Sequence, residues 1–321
     1  MMTTRRNGEV WADTEGRPIH AHGGHMLREN GYWYWYGENR TGSNYVSCYR
    51  SSDLMNWEFR RNSLTTESPM TPLRQRTTLR LSTDGGGKVN LERPKVLRNP
   101  RTGQYVMWMH YENGTDYLDA ACAIATCDTP DGDFVYHGHF NPFGFMSRDC
   151  TLYADPDGTA FFLSASRDNA DLHVYRLQDD YLNVDALVHR LWPGEYREAP
   201  AVMARNGQYY LLSSYCTGWH PNQGRYATAA SIEGRWSSLH DFGDETTFRT
   251  QPAFILPIEG QQATTFLYVA DRWDAEAYHQ SGYVFLPLCF RQDGSLYLED
   301  VAAFGIDAAA GVYMPYMETG Y

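Results

Sequence analysis

The stretch Glu198-Ala-Pro-Ala-Val-Met-Ala-Arg-Asn-Gly207-Gln-Tyr-Tyr-Leu-Leu212 carries the pattern on which the fold turns. A polar residue opens an apolar run, a glycine follows nine positions on, and an aromatic run returns. This order reads as a β-hairpin, because glycine accepts the left-handed backbone that a tight hairpin turn demands. The pattern recurs at Asp149, with Gly158 and then Phe161-Phe162-Leu163, and at Gln251, with Gly260 and then Phe266-Leu267-Tyr268. It recurs at His22, with Gly31 and then Tyr32-Trp33-Tyr34-Trp35-Tyr36, and at Glu92, with a turn two residues longer, Gly103, and Tyr105-Val106-Met107-Trp108. The five starts lie 70, 57, 49 and 53 residues apart, so each hairpin has room for two further strands. Repeated four-stranded units at this period predict an all-β fold, a five-bladed β-propeller. The same count makes residues 1–321 a single domain, where length alone suggests two. A β-sandwich with coincidental hairpins would not repeat the nine-residue offset in four copies of five.

Composition agrees with that reading. The chain has 24 Tyr, 14 Phe and 9 Trp, 28 Gly and only 21% charged residues, which suits strands joined by tight turns. Helical periodicity is scarce. The alanine-rich stretch from Val301 to Val312 is the only helix candidate, short and interrupted by glycines. The net charge of −12 argues against a nucleic-acid partner, which needs a basic face. With a mean hydropathy of −0.55, no apolar run nears the roughly 18 residues of a membrane span. The amino terminus has no apolar segment behind its charges, so as it stands the chain is expected to be cytoplasmic, or secreted or periplasmic if a leader was removed. Its six cysteines show no CxxC pairs and are expected to be free thiols in a reducing compartment.

In a propeller the first strand of each blade lines the central channel, and equivalent positions converge on one mouth. Here they are His22, Glu92, Asp149, Glu198 and Gln251. Burying three carboxylates together is costly, so such a cluster points to a site. The alternative is a solvated channel in which they pair with Arg93, Arg148 and Arg197. No GxSxG elbow or phosphate loop is present, and Gly85-Gly86-Gly87-Lys88 reads as a flexible turn. His20, His22 and His25 are closely spaced, but no further ligand can be placed, so neither metal nor cofactor is expected. Paired carboxylates in an aromatic pocket suit glycoside hydrolysis: one carboxyl holds a proton for the leaving oxygen, and a second handles water or developing positive charge.

The chain resembles glycoside hydrolase family 43, and most closely its exo-β-1,3-galactanase branch. The resemblance rests on Ile19-His-Ala-His-Gly-Gly24, Tyr34-Trp-Tyr-Gly-Glu-Asn39, Glu92-Arg-Pro-Lys-Val96, Tyr105-Val-Met-Trp-Met-His110, Ser147-Arg-Asp149, Arg197-Glu-Ala-Pro200, Cys216-Thr-Gly-Trp219, Thr250-Gln251 and Asp271-Arg-Trp273. It implies an inverting, exo-acting enzyme that releases galactose from β-1,3-galactan. It also implies that Glu198 is the general acid and that Asp149 orients it. The family's usual first-blade aspartate is replaced here by His22. In the galactanase-like branch its task passes to residues that match Gln251 and Glu92. Candidate substrate contacts are His22, Glu38, Arg93, Tyr117, Asn169 and Thr217, with Trp219 and Trp273 as stacking platforms. Two other readings remain: an α-L-arabinofuranosidase or β-D-galactofuranosidase of the same family, and a carbohydrate-binding propeller without catalysis.

Overall fold

The computed structural model describes residues 3–73 and 77–316. A short strand β1 (Arg5–Arg6) comes first. The first four-stranded sheet follows: β2 (His22–Glu29), β3 (Tyr32–Glu38), β4 (Asn44–Ser51) and β5 (Glu58–Thr65). The second is β6 (Asn90–Arg98), β7 (Tyr105–Glu112), β8 (Ala121–Cys127) and β9 (Val135–Phe140). The third is β10 (Cys150–Ala154), β11 (Ala160–Ser166), β12 (Asp171–Leu177) and β13 (Val184–Leu191). The fourth is β14 (Arg197–Arg205), β15 (Gln208–Tyr215), β16 (Gly224–Ala229) and β17 (His240–Phe242). The fifth is β18 (Gln251–Glu259), β19 (Thr264–Arg272), β20 (Gly282–Phe290) and β21 (Leu296–Leu298). Strands β22 (Ala303–Asp307) and β23 (Val312–Tyr316) complete a sixth, three-stranded sheet with β1.

The fold is all-β. Each four-stranded sheet is an antiparallel meander in chain order, and each opens with one of the five hairpins. The first strands touch in sequence, β2 to β6, β6 to β10, β10 to β14 and β14 to β18, and β18 returns to β2. The alanine-rich stretch from Val301 to Val312 is not a helix. Phe304 and Ile306 are buried, and Ala303–Asp307 pairs on one side with Arg5–Arg6 and on the other with Val312–Tyr316. Ladder pairing on both edges and burial of the aromatic override the helix preference of alanine.

Aromatic rings fill the seams between sheets. Trp35 lies 4.8 Å from Tyr283 across the first and fifth sheets, and Trp108 lies 4.6 Å from Phe162 across the second and third. Rings of this size contribute most of the burial free energy, with geometry-dependent gains of about 1 kcal/mol per pair.

A bulge at the head of three inner strands shapes the molecule's centre. Opposite β3, β2 pairs His22 with Glu38 and then jumps to His25 with Tyr36; β6 jumps from Glu92 to Lys95, and β14 from Glu198 to Ala201. The residue after each head has left-handed backbone: Gly23 at φ 56°, Arg93 at 55° and Ala199 at 49°. A left-handed residue turns its N–H out of the ladder, and that donor needs another partner. In each case the partner is a carboxylate carried by the preceding sheet or, for Asp149, by the residue just before its first strand. Gly23 N donates to Asp271 Oδ2 at 2.8 Å, Arg93 N to Glu38 Oε1 at 3.0 Å and Ala199 N to Asp149 Oδ2 at 3.2 Å. The freed carbonyls are met by Lys95, fully buried, whose Nζ donates to Gly23 O at 2.6 Å and Gly24 O at 3.0 Å and lies 3.4 Å from Arg93 O.

Close packing behind the first bulge requires glycine at 37. A Cβ there would lie 2.1 Å from the carbonyl carbon of Ala21, a backbone atom that cannot step aside. Gly37→Ala is expected to lower stability by about 3 kcal/mol or more, read by urea unfolding. Gly85→Ala, where nothing lies within 4 Å of the new Cβ, is the matched control and is expected to change it by less than about 0.5 kcal/mol.

Candidate active site

The heads of the inner strands open into a cavity of about 300 Å³ whose walls include Glu38, Glu92, Arg93, Tyr117, Asp149, Asn169, Glu198, Trp219, Gln251 and Trp273. Such a volume is at the small end for ligand pockets and suits one or two sugar rings. A wider groove of about 770 Å³ lies beyond Tyr117, lined by Leu118, His139 and Phe143, but the acids do not converge there.

Glu198 is buried. Its Oε1 accepts from Gln251 Nε2 at 2.9 Å, and its Oε2 accepts from Asn169 Nδ2 at 3.3 Å. Burial first, and the nearby charge of Asp149 second, push its carboxyl up to about 7; Arg93, Cys216 and Gln251 pull the other way. Near neutral pH it therefore retains a proton for much of the time.

Glu92 has the opposite character. Its Oε1 accepts from the Tyr117 hydroxyl at 2.6 Å and lies 3.3 Å from Arg40 Nη2, and its Oε2 lies 3.3 Å from His110 Nδ1. Burial pushes the carboxyl up, but His110, Arg40 and Tyr117 together outweigh it and hold it at about 2. The other nitrogen of His110 lies 2.8 Å from Glu112 Oε1, and the two flanking carboxylates outweigh burial and raise the imidazole to about 9. At neutral pH the Glu92 anion in the wall is thus backed by an imidazolium.

Arg93 joins the two halves. Buried between them, it lies 3.1 Å from Asp149 Oδ2 through Nε, donates to Pro252 O at 2.7 Å through Nη1 and to Gln251 Oε1 through Nη2. Gln251 Oε1 also accepts from Trp273 Nε1 at 2.7 Å, and Gln251 Nε2 reaches Ser214 Oγ at 3.1 Å. These partners fix the amide's orientation and occupy both of its ends.

The structure brings together Glu92, Asp149, Glu198, Gln251, Glu38, Arg93, Tyr117, Asn169, Trp219 and Trp273 around one cavity. Glu38 is already engaged: besides the Arg93 N–H it accepts from Arg40 at 2.9 Å and from the Tyr278 hydroxyl at 2.8 Å. His22 is not among the lining residues. It is 1% exposed, lies 2.8 Å from Asp271 and stacks on Tyr283 at 4.6 Å, behind Trp273. The Thr217 hydroxyl turns inward to its own loop, donating to His220 O at 2.6 Å and accepting from Asn222 at 2.7 Å. Sequence reasoning assigned no role to Arg40, His110, Cys216, Asp271 or Tyr278. Two of these had a usable signal: His110 and Asp271 stand directly across the ladder from Glu92 and Gln251.

Among the described residues, one group of three possible metal ligands lies close together: Glu92, His110 and Asp149. It excludes His20, His22 and His25. Each member already faces an opposite charge or a hydrogen-bond partner, and Arg40 and Arg93 stand beside it. The six cysteines form no disulfide, and among the described residues no helix is long and apolar enough to cross a membrane.

Residues 92–284 match the model of glycosyl hydrolases family 43. An exo-β-1,3-galactanase from Clostridium thermocellum is 43% identical, with a TM-score of 0.90 over 98% of this chain and 69% of that one. An exo-β-1,3-galactanase from Phanerochaete chrysosporium, solved with β-1,3-galactotriose, is 32% identical, with a TM-score of 0.86 over 98% of this chain and 71% of its own. A putative exo-β-1,3-galactanase from Bifidobacterium bifidum is 30% identical, with a TM-score of 0.80 over 92% of this chain and 96% of its own. No curated protein sequence matches.

The raised Glu198 carboxyl has a cost in stability that pH exposes. Its unfolded form titrates near 4.5, so between there and about 7 the folded state binds the extra proton. Stability from this group is complete below pH 4.5 and is lost as pH rises through about 7. Glu198→Gln removes the buried charge, and at pH 8 the variant is expected to be more stable than the parent by about 1–3 kcal/mol. At pH 4 the gain is expected to vanish. Urea unfolding at both pH values measures it, and equal gains at both would mean that the carboxyl is not raised.

Proposed function

Because this chain belongs to glycosyl hydrolases family 43, we propose that it is an inverting, exo-acting glycosidase that removes galactose from the end of β-1,3-galactan chains. Its five four-stranded sheets are the blades of one propeller, residues 1–321 act as a single catalytic unit, and the pocket at the strand heads is the active site. The observation that carries this reading is the divergence of two carboxyls in one small pocket: Glu198 rises to about 7 while Glu92 falls to about 2. Carboxyls whose environments drive them apart in this way divide into a proton donor and a permanent anion.

Glu198 gives its proton to the glycosidic oxygen as the bond to the departing chain breaks. Gln251 and Asn169 hold its two oxygens in place, and burial, with the charge of Asp149 second, keeps the proton on. Glu92 enters the reaction ionised and stabilises the positive charge that develops at the anomeric carbon. It also orients the attacking water and takes the water's proton as the new C–O bond completes. Its low proton affinity favours the electrostatic part of that role. Gln251, with both ends of its amide occupied, is a brace for Glu198 and Arg93, and it contributes no proton transfer. Trp219, 44% exposed at the rim and 5.6 Å edge-on to Trp273, offers an apolar face for a sugar ring. The named activities of the similar structures support galactose over other sugars.

On β-1,3-galactotriose the enzyme is expected to release galactose, first seen by NMR as the α-anomer. The β-anomer appearing first would overturn inversion, and binding without turnover would reduce the chain to a lectin. Glu198→Gln should lower kcat on the oligosaccharide by at least about 100-fold and much less on an aryl galactoside whose leaving group needs no proton. Glu92→Gln should lose about 100-fold on both substrates, because charge stabilisation does not depend on the leaving group. The wild-type kcat/KM profile should be level from about pH 4 to 6 and fall above about 7 as Glu198 ionises.

A further inference from the structure

One side chain in the pocket wall has no part in that scheme. Cys216 follows directly on β15, where its backbone N–H donates to Tyr196 O at 3.0 Å. The loop it begins is closed by Asn222, whose side chain bonds Tyr215 N and O at 2.8 and 2.7 Å and Thr217 Oγ1 at 2.7 Å. The cysteine is therefore held by its backbone on both sides, and its thiol lines the cavity next to Glu198.

Its partner is unusual too. Asn169 ends a run of three non-glycine residues in left-handed backbone, Arg167, Asp168 and Asn169 at φ 52°, 54° and 64°. Such a run costs on the order of 1 kcal/mol or more per residue and persists only where the surroundings enforce it. The strained turn aims the Asn169 amide between two acceptors: Nδ2 lies 3.1 Å from Cys216 Sγ and 3.3 Å from Glu198 Oε2. Its Oδ1, buried, has no partner. The sulfur accepts from Asn169, which leaves the S–H as the side chain's one donor, and the carboxyl that shares the same Asn169 amide nitrogen, Glu198, is the acid beside it in the cavity.

We propose that Cys216 is a positioning residue for the general acid: braced by Asn169, its thiol fixes the Glu198 carboxyl and donates to its ionised form. The proposal rests on Glu198 being the acid. Burial, with the charge of Glu198 next, raises the thiol above its ordinary value, so it stays protonated over the working range and serves as a donor, not as a nucleophile. A thiol is a weak donor, and that suits the task. A strong one would leave Glu198 ionised at neutral pH, and none at all would make it too reluctant to give up its proton.

The test is the pH dependence of kcat on β-1,3-galactobiose for the wild type, Cys216→Ala and Cys216→Ser. Removing the donor should move the alkaline limb up by about 0.5–1 pH unit in Cys216→Ala. Cys216→Ser, which restores an O–H, should bring the limb back to within about 0.2 unit of the wild type or below it. Asn169→Ala should move the limb in the same direction as Cys216→Ala. An unmoved limb in Cys216→Ala, or equal loss of rate in both cysteine variants with unchanged profiles, would overturn the proposal and leave Cys216 a packing residue. Glu198→Gln separates this failure from a failure of the acid assignment. If that variant keeps full activity on galactobiose, the acid reading itself is wrong; if it loses activity while the limb stays fixed in Cys216→Ala, only the thiol's role is wrong.

Discussion

A backbone N–H turned out of its ladder is the constraint on which this site depends. Gly23, Arg93 and Ala199 each present one, and each is met by a carboxylate in the preceding sheet or at its threshold. An unpaired N–H buried at the centre of the molecule would cost on the order of 1–3 kcal/mol, and an unpaired carboxylate there more. Each group thus answers the other's need, and three sheet junctions are fixed by side-chain carboxylates bonded to main-chain N–H groups. The acids that remain free for chemistry stand on this frame. Asp149 serves both purposes, bonding the Ala199 N–H and charging the surroundings of Glu198.

Arg93 shows why the frame and the chemistry cannot be separated. Its backbone is strained, its N–H bonds Glu38, and its guanidinium spans Asp149, Gln251 and the Pro252 carbonyl. Buried cations are tolerated only when paired and fully hydrogen-bonded. The neighbouring Lys95 meets the same requirement with backbone carbonyls in place of carboxylates, and burial lowers it to about 8. Two buried cations beneath a group of acids make it possible for several carboxylates to share a cavity that could not hold them alone.

The strand heads were legible in the sequence because the hairpin offset is a property of the local chain: a polar residue, a fixed strand length and a glycine turn. The offset places Glu92, Glu198 and Gln251 correctly at the heads. It also places His22 there, but backbone position does not dictate where a side chain turns, and Asp271 and the Tyr283 ring draw this imidazole away from the cavity. Thr217 escaped for a similar reason, since Asn222 five residues on takes its hydroxyl. Arg40 and Tyr278 lie in loops of unrelated length, and only the folded chain brings them 4.1 Å apart over Glu38. The alanine-rich stretch misled because its composition favours helix while its neighbours offer ladder partners on both edges.

The three-stranded sheet has a consequence for connectivity. Every four-stranded sheet is built from one unbroken stretch of chain, so none is completed by a strand borrowed from the other end. The early strand β1 and the late strands β22 and β23 instead pair with one another, where Arg6 faces Ala303 and Ala303 faces Tyr316. First and last strands are therefore separated by a single strand, roughly 10 Å at the usual ladder spacing. A few residues could bridge that gap, and the order in which the sheets are encoded then becomes arbitrary. A circularly permuted gene opened within the loop at Gly85–Gly87, where an added Cβ on Gly85 or Gly86 meets no neighbour, would leave every sheet and every strand head intact.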